Sequence, residues 1–274
     1  LDAKLVRAAR SDEILGIDKA TVWTKAPISE CYEKTGKAPI GTRWVDINKG
    51  DENNPNCRSR SVGREFNRNK REDLFAATPP LEAIRALISL AASQRKRGNK
   101  PIKKLSFIDI RKAYFHAKAK RLVYVELPDE ALAPGEKGKV CGRLNYSLYG
   151  TRDAAQNWED TYAEIMVAIG FTRGKASPCI FHHSSRDLTT VIHGDDFTTL
   201  GDEVQLKWLE NQLKQKLEIK MRGILGPEPH DLKQITVLNR VVTWEKDCIT
   251  YEADQRHAEM LVSELLGSNA VNTV

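Results

Sequence analysis

Hydrophobic positions recur at helical spacing in several stretches of the chain. Their period of three to four residues predicts helices over about residues 81–91, 153–169, 205–220 and 254–266, and a weaker helical pattern covers a lead-in segment at 1–20. The stripe at 153–169 is the clearest, and Gly170 is expected to end that helix. These segments are expected to pack one apolar face against a core.

Short runs of β-branched and apolar residues lie between these helices. They predict strands at 39–47, 57–66, 105–110, 121–127, 140–148 and 177–182, and hairpins over 188–200 and over 235–251. Strands and helices mixed in this order indicate an α+β fold, with helices on one face of a largely antiparallel sheet.

Composition narrows the class of protein. The chain has 274 residues, of which 41% are hydrophobic and 29% charged, and this balance is typical of a folded protein. The net charge is +6 and the sequence pI about 9.0. Basic residues concentrate at 58–71 and 95–104. Such clusters suit a polyanionic partner, although a solvated charged face is the alternative.

The cysteine and apolar patterns exclude several classes. The five cysteines are scattered without a C-x-x-C pair, so neither a zinc module nor a disulfide framework is indicated. No run approaches the roughly 18 apolar residues needed to span a bilayer. We therefore expect a soluble intracellular chain with no membrane partner. The pattern does not distinguish a cytoplasmic particle from the nucleus.

Arginines alternate along the strand predicted at 57–66. Arg58, Arg60 and Arg64 are two and four residues apart, so they are expected to project from one face. A row of guanidinium groups suits phosphate binding. A solvated edge strand that uses charge against aggregation is an equally good interpretation.

Carboxylates occur at two predicted strand ends. Asp195 and Asp196 follow Gly194 in the hairpin at 188–200, where adjacent like charges suggest a divalent cation. Taken alone, Gly-Asp-Asp is also an ordinary turn sequence. Asp109 ends an apolar strand, where it could instead cap a helix. If the two strands are neighbours, three carboxylates converge, and such a cluster supports two-metal phosphoryl transfer.

Several ordered motifs carry a resemblance to a known family. They are Arg43-Trp44-Val45, the basic run from Arg58 to Phe66, Asp109-Ile110-Arg111-Lys112-Ala113-Tyr114-Phe115, the segment from Ser147 to Trp158, Gly170-Phe171 with Ser177 to Phe181, and His193-Gly194-Asp195-Asp196. With these motifs the chain resembles the reverse transcriptase domain of copia-type LTR retrotransposons (the Pseudoviridae Pol polyprotein) from about Trp23 to Leu266.

The resemblance implies a right-hand polymerase with a palm, fingers and a truncated thumb. The implied palm is an antiparallel sheet backed by helices. It would comprise residues 81–121 and 153–252, and the fingers 21–80 together with 122–152. Residues 1–20 would be a lead-in segment, and 253–274 the start of a thumb or connection.

The resemblance also implies a role for each site residue. Asp109, Asp195 and Asp196 would be catalytic, and the two Mg²⁺ ions (Mn²⁺ being an alternative) would be held by Asp109, Asp195 and the backbone carbonyl of Ile110. The implied nucleotide-binding residues are Arg58, Arg60, Arg64, Tyr114, Gly150 and Arg152, where Tyr114 would exclude a 2′-hydroxyl. Arg68, Lys70 and Arg71 would bind nucleic acid.

The implied reaction is attack of a primer 3′-hydroxyl on a dNTP. The implied partners are an RNA or DNA template-primer, the dNTP, and the remaining Pol modules (integrase and RNase H) where the chain is part of a polyprotein. Three alternatives remain: a decayed retroelement relic that only binds nucleic acid, another palm-type enzyme such as a nucleotidyl cyclase, and a scaffold with a fortuitous cluster of acidic residues.

The chain departs from the family pattern at several motif positions. His193-Gly194 replaces tyrosine-valine before the aspartates, Glu65 replaces glycine, Asp153 replaces glutamine and Ala155 replaces proline. These departures fit either a divergent active lineage or a decaying copy.

Overall fold

The computed structural model describes residues 1–50, 53–66, 76–93, 101–253 and 255–266. The chain divides into two units, and each is described by itself below. The first unit consists of Leu1–Ala77 and Lys112–Ala168, and the second of Thr78–Arg111 and Ile169–Val274. The boundaries expected for palm, fingers and thumb stay a prediction.

The elements are numbered in chain order across both units. The helices are α1 (Ala3–Lys19), α2 (Ile28–Thr35), α3 (Leu81–Ser93), α4 (Ala154–Ala168), α5 (Glu203–Lys214) and α6 (Gln255–Leu266). The first strands are β1 (Trp23–Pro27), β2 (Thr42–Asn48), β3 (Cys57–Gly63), β4 (Lys104–Ile110), β5 (Tyr124–Val125), β6 (Val140–Leu144) and β7 (Thr172–Arg173). The remaining strands are β8 (Ile180–His183), β9 (Leu188–His193), β10 (Asp196–Gly201), β11 (Ile219–Leu225), β12 (Gln234–Val237), β13 (Arg240–Trp244) and β14 (Ile249–Ala253).

The first unit contains two small antiparallel sheets. Strand β6 lies between β1 and β5, and β2 pairs with β3 as a separate hairpin. Its core combines residues from α1, β1, β5 and β6, and the fully buried members are Ile17, Val22, Val125 and Leu148. Helix α1 begins at an aspartate cap, because the side chain of Asp2 accepts hydrogen bonds from two backbone N–H groups of the first turn.

The second unit is organised around a six-stranded antiparallel sheet in the order β11-β4-β10-β9-β8-β7. Strand β4 therefore has a neighbour on both sides, and it is apolar over most of its length because both faces are covered. Helix α3 and the β12-β13-β14 sheet share one core with this sheet, formed among others by Ile84, Leu87, Leu105, Phe107, Val242 and Trp244. The predicted α+β class with antiparallel strands is confirmed.

The helix predicted over 205–220 is wrong in its last part. Helix α5 ends at Lys214, and residues 219–225 form β11, whose Ile219 pairs with Ile110 of β4. The leucine spacing continued to Leu217 and extended the prediction. Pairing with β4 outweighs that local signal, as tertiary context commonly does.

Other segments differ in number or length from those predicted. Residues 235–244 form two strands rather than one, because Leu238 and Asn239 adopt positive φ values of 48° and 59° and turn the chain. Strand β1 and helix α2 were not predicted. The strands predicted at 121–127 and 140–148 shorten to β5 and β6. In the described residues, no helix combines the length and apolar character that crossing a bilayer requires.

Candidate active site

A tight hairpin presents the two adjacent aspartates. Strands β9 and β10 pair from Thr189↔Leu200 to His193↔Asp196, which leaves Gly194 and Asp195 as a two-residue turn. Gly194 has φ +62°, a value that glycine adopts without a steric penalty at the first position of such a turn. The predicted hairpin is therefore present, with Asp195 in the turn and Asp196 at the start of β10.

Strand β4 brings the third carboxylate to this turn. Asp196 and Asp109 are register partners across β10 and β4, so their side chains project from the same face. The backbone N–H of Ile110 donates to the carbonyl oxygen of Asp195 at 2.9 Å, which ties the turn to the end of β4. The structure thus brings Asp109, Ile110, Asp195 and Asp196 together at one end of the sheet.

The charges at this end repel one another. Burial, the neighbouring charge of Asp195 and, more weakly, that of Asp109 raise the pKa of Asp196 above its usual value. Arg222 offsets part of this effect, since its guanidinium lies 3.6 Å from the Asp196 carboxylate. Arg222 does not remove the repulsion between these carboxylates, and a bound divalent cation would reduce it. Carboxylate oxygens are hard ligands of the kind that Mg²⁺ prefers, so these residues fit the implied metal.

Two basic residues beside the carboxylates were missed by the sequence analysis. Lys220 is the register partner of Asp109 on β11, and Arg222 lies where the β11 register shifts between Met221 and Gly223. Lys220 had been assigned to the helix predicted over 205–220, and Arg222 lay in the following segment, for which no element was predicted. The signal that could have revealed them is the alternation of apolar and basic residues at 219–222, which is typical of a strand.

A second group of possible metal ligands lies elsewhere in this unit. Ligand atoms of Glu203, His230 and Asp231 are within 4.8 Å of one another, and no other described group of three meets this limit. The ammonium of Lys104 lies 2.8 Å from both carboxylates, so an internal cation already occupies the space between them and offsets one of their two charges. The carboxylate oxygens of Asp109, Asp195 and Asp196 do not all lie within this limit of one another.

The arginine candidates belong to the first unit. In β3, Ser59, Ser61 and Gly63 are buried, whereas Arg58 is exposed and Arg60 half-buried on the other face. Arg64 lies beyond the end of the strand and is exposed. The predicted common face therefore applies to Arg58 and Arg60 within β3.

One aromatic ring, that of Tyr149, contacts both Arg60 and Tyr114. The Arg60 guanidinium stands 4.8 Å over the ring of Tyr149, and the Tyr114 ring centroid is 4.7 Å from that of Tyr149. Tyr149 thus contacts two of the predicted nucleotide-binding residues. It lies within the motif segment from Ser147 to Trp158, but no local pattern assigned it a role.

The loop with Gly150 and Arg152 is held against the end of β3. Gly63 donates a backbone hydrogen bond to the carbonyl oxygen of Tyr149 at 2.7 Å. Gly150 has φ +79°, and a Cβ there would stand 2.1 Å from the carbonyl oxygen of Gly63. Only glycine fits this approach. The predicted residues Arg68, Lys70 and Arg71 lie outside the described residues.

Comparisons with known proteins agree with the resemblance. A family model described as reverse transcriptase (RNA-dependent DNA polymerase) matches residues 31–228. The chain is also 25% identical over 197 residues to the Retrovirus-related Pol polyprotein from transposon TNT 1-94 of Nicotiana tabacum. That alignment covers 69% of this chain and 14% of the relative, so the chain spans a small part of the polyprotein it matches.

Proposed function

The chain belongs to the reverse transcriptase (RNA-dependent DNA polymerase) family, and we propose that it is the RNA-directed DNA polymerase domain of an LTR retrotransposon Pol polyprotein. The single observation that carries the proposal is the register of the central sheet. It pairs Asp109 with Asp196 and ties the Asp195 turn to Ile110. Carboxylates from distant parts of the chain thereby share one end of one sheet.

The carboxylates would hold two Mg²⁺ ions, with Mn²⁺ as an alternative. Asp109 and Asp195, with the backbone carbonyl of Ile110, would be the ligands, and Asp196 would support them. When bound, the ions would lower the pKa of the primer 3′-hydroxyl and neutralise charge on the phosphates. The chain's part is to fix these oxygens rigidly, which strands β4 and β10 support through their antiparallel pairing.

The first unit would bind the incoming dNTP. Arg58, Arg60 and Arg64 would contact the triphosphate through their guanidinium groups, and Gly150 and Arg152 would line the same site. Tyr114 would lie against the sugar and exclude a 2′-hydroxyl. Its ring is already packed on Tyr149, a contact that supports a fixed orientation.

The template and primer would bind through basic side chains. Arg68, Lys70 and Arg71 would contact phosphates, and the net charge of +6 supports a polyanionic partner. Where the chain is part of a Pol polyprotein like the relative it matches, integrase and RNase H modules would accompany it.

Primer extension with and without the turn carboxylate tests the proposal. We expect the wild-type chain to extend a primer on an RNA template with Mg²⁺ or Mn²⁺. Asp195→Asn should lower the rate by about a thousandfold or more, because a metal ligand contributes several kcal/mol to the transition state. Binding of primer-template should change little, since no phosphate-binding residue is altered.

Asp247→Asn is the matched control. Asp247 is exposed in the turn between β13 and β14 of the same unit. The substitution therefore removes the same charge at a position away from the carboxylate cluster. We expect wild-type extension from this variant. A wild-type chain that binds primer-template but extends nothing with either metal would refute the polymerase proposal and support the relic.

A further inference from the structure

One arginine joins two acidic residues of the first unit. The guanidinium of Arg121 donates to both carboxylate oxygens of Glu65, at 2.8 Å from Nη1 and 2.5 Å from Nη2. The same Nη2 donates to Asp153 Oδ1 at 2.7 Å. A planar guanidinium can bind one carboxylate with two nitrogens while it also reaches a second carboxylate, and a lysine ammonium lacks this geometry.

The three residues come from separate segments. Glu65 follows β3 and adjoins Arg64, whereas Asp153 precedes α4 and adjoins Arg152. Arg121 lies in the segment before β5, between the two in the chain. The contact therefore links the end of the arginine hairpin to the loop that follows Gly150.

Further hydrogen bonds run through the same junction. The backbone N–H of Arg152 donates to Glu65 Oε2 at 2.9 Å, so Glu65 contacts the loop directly as well as through Arg121. Asn157 of α4 donates to Asp153 Oδ2 at 3.1 Å and to Ser147 at 3.0 Å. Glu65 and Asp153 are thus each fixed by more than one partner.

Burial makes the arginine necessary for this arrangement. The side chains of Asp153 and Glu65 are only 8% and 17% exposed. Burial raises the pKa of both carboxyls, but the hydrogen bonds and charge of Arg121, together with hydrogen bonds from Arg152 to Glu65 and from Asn157 to Asp153, outweigh it, so the pKa of each is lowered. Without Arg121, two buried carboxylates would face each other uncompensated, and the junction would have to open or take up protons.

We propose that Arg121 is a positioning residue for the nucleotide site. By binding Glu65 and Asp153 together, it holds Arg64 and the Gly150–Arg152 loop in the one arrangement in which both contact the triphosphate. This inference rests on the proposed function, because it assigns the junction to dNTP binding. Arg121 itself contacts no substrate. Its effect is carried by the residues next to its two partners.

Steady-state primer extension tests the role. In Arg121→Met, we expect KM for dNTP to rise about tenfold or more while kcat stays within about threefold, because displaced phosphate ligands weaken nucleotide binding first. Arg121→Lys should give an intermediate KM, since it restores the charge but not the fork. Glu65→Gln should also raise KM for dNTP, and this variant replaces Arg121→Met in the test if Arg121→Met does not fold.

Lys120→Met is the matched control. Lys120 adjoins Arg121 and pairs with Asp160, but its side chain is 57% exposed and it lies outside the junction. We expect its kinetic constants to equal those of the wild type. A folded Arg121→Met with wild-type KM, or with a loss confined to kcat, would overturn the inference.

Amide hydrogen exchange separates this inference from the polymerase proposal. The N–H of Arg152 should exchange faster in Arg121→Met than in the wild type or in Lys120→Met, and by a larger factor than the N–H groups of α1 in the same unit. A wild-type chain that extends no primer refutes the polymerase proposal alone, and unchanged exchange at Arg152 then refutes the positioning role.

Discussion

The buried ammonium of Lys104 provides a stability prediction that the structure makes quantitative. Lys104 is 4% exposed, and its Nζ lies 2.8 Å from Asp231 and 2.8 Å from Glu203. Lys104→Met keeps the length of the side chain but leaves the Asp231 carboxylate, whose side chain is 2% exposed, without its cation. Breaking a buried pair in this way costs about 3–5 kcal/mol, a large part of a typical free energy of unfolding of about 5–15 kcal/mol.

Urea denaturation followed by tryptophan fluorescence measures this cost. Trp208 and Trp244 lie in the second unit and report on its unfolding. Lys207→Met is the control, because Lys207 pairs with the same Glu203 at 2.5 Å while its side chain is 61% exposed. Its loss should cost below about 1 kcal/mol.

A double variant tests the physical reason. In Lys104→Met with Asp231→Asn, the buried negative charge is gone, so at least half of the lost stability should return. A Lys104→Met variant that loses no more stability than Lys207→Met, or that loses more when Asp231→Asn is added, would show that the buried charge pair does not stabilise the fold.

Two further predictions concern acid stability and the glycine at the nucleotide loop. Bonds from Lys104, then Lys207 and His230, lower the pKa of Glu203 from 4.5 to about 2. The stabilisation from Glu203 is therefore fully present above pH 4.5 and is lost as the pH falls towards 2, so the wild-type urea midpoint should fall across that window more steeply than that of Lys104→Met. Gly150→Ala should cost more than about 1–3 kcal/mol, because its φ of +79° is combined with a Cβ 2.1 Å from a carbonyl oxygen. Gly135→Ala is the control, because Gly135 has φ +83° but open space around it, so this variant measures only the cost of a positive φ. Equal melting temperatures of the two variants would contradict a steric clash at residue 150.

Short-range patterns accounted for much of the fold around the carboxylates. The Gly-Asp step between two apolar runs predicted the β9–β10 hairpin, and the apolar run before Asp109 predicted β4. These predictions succeeded because a two-residue turn and a buried strand are specified by neighbouring residues. That β4 and β10 are neighbours was a hypothesis built on the carboxylates, and their pairing confirms it.

Features that depend on distant partners were not predictable from one sequence. Lys104 meets Glu203 and Asp231 across 99 and 127 positions of the chain, and nothing in the local sequence distinguishes it from Lys103, which pairs with Asp187 instead. Strand β11 was not predicted, because the leucine spacing before it indicated a helix and its partner strand, β4, is distant in the sequence. Long-range ion pairs and edge-strand pairing are specified by the fold rather than by the local sequence.

The departures from the family pattern have physical explanations in this chain. Glycine before the aspartates suits the φ of +62° in the two-residue turn, where a valine would be strained. Glu65 and Asp153 replace uncharged residues, yet both bind Arg121 instead of lying unpaired in a buried site. An unpaired buried carboxylate is costly, and the shared arginine removes that cost at both positions. Primer extension by the wild type is the measurement that separates a divergent active lineage from a decaying copy.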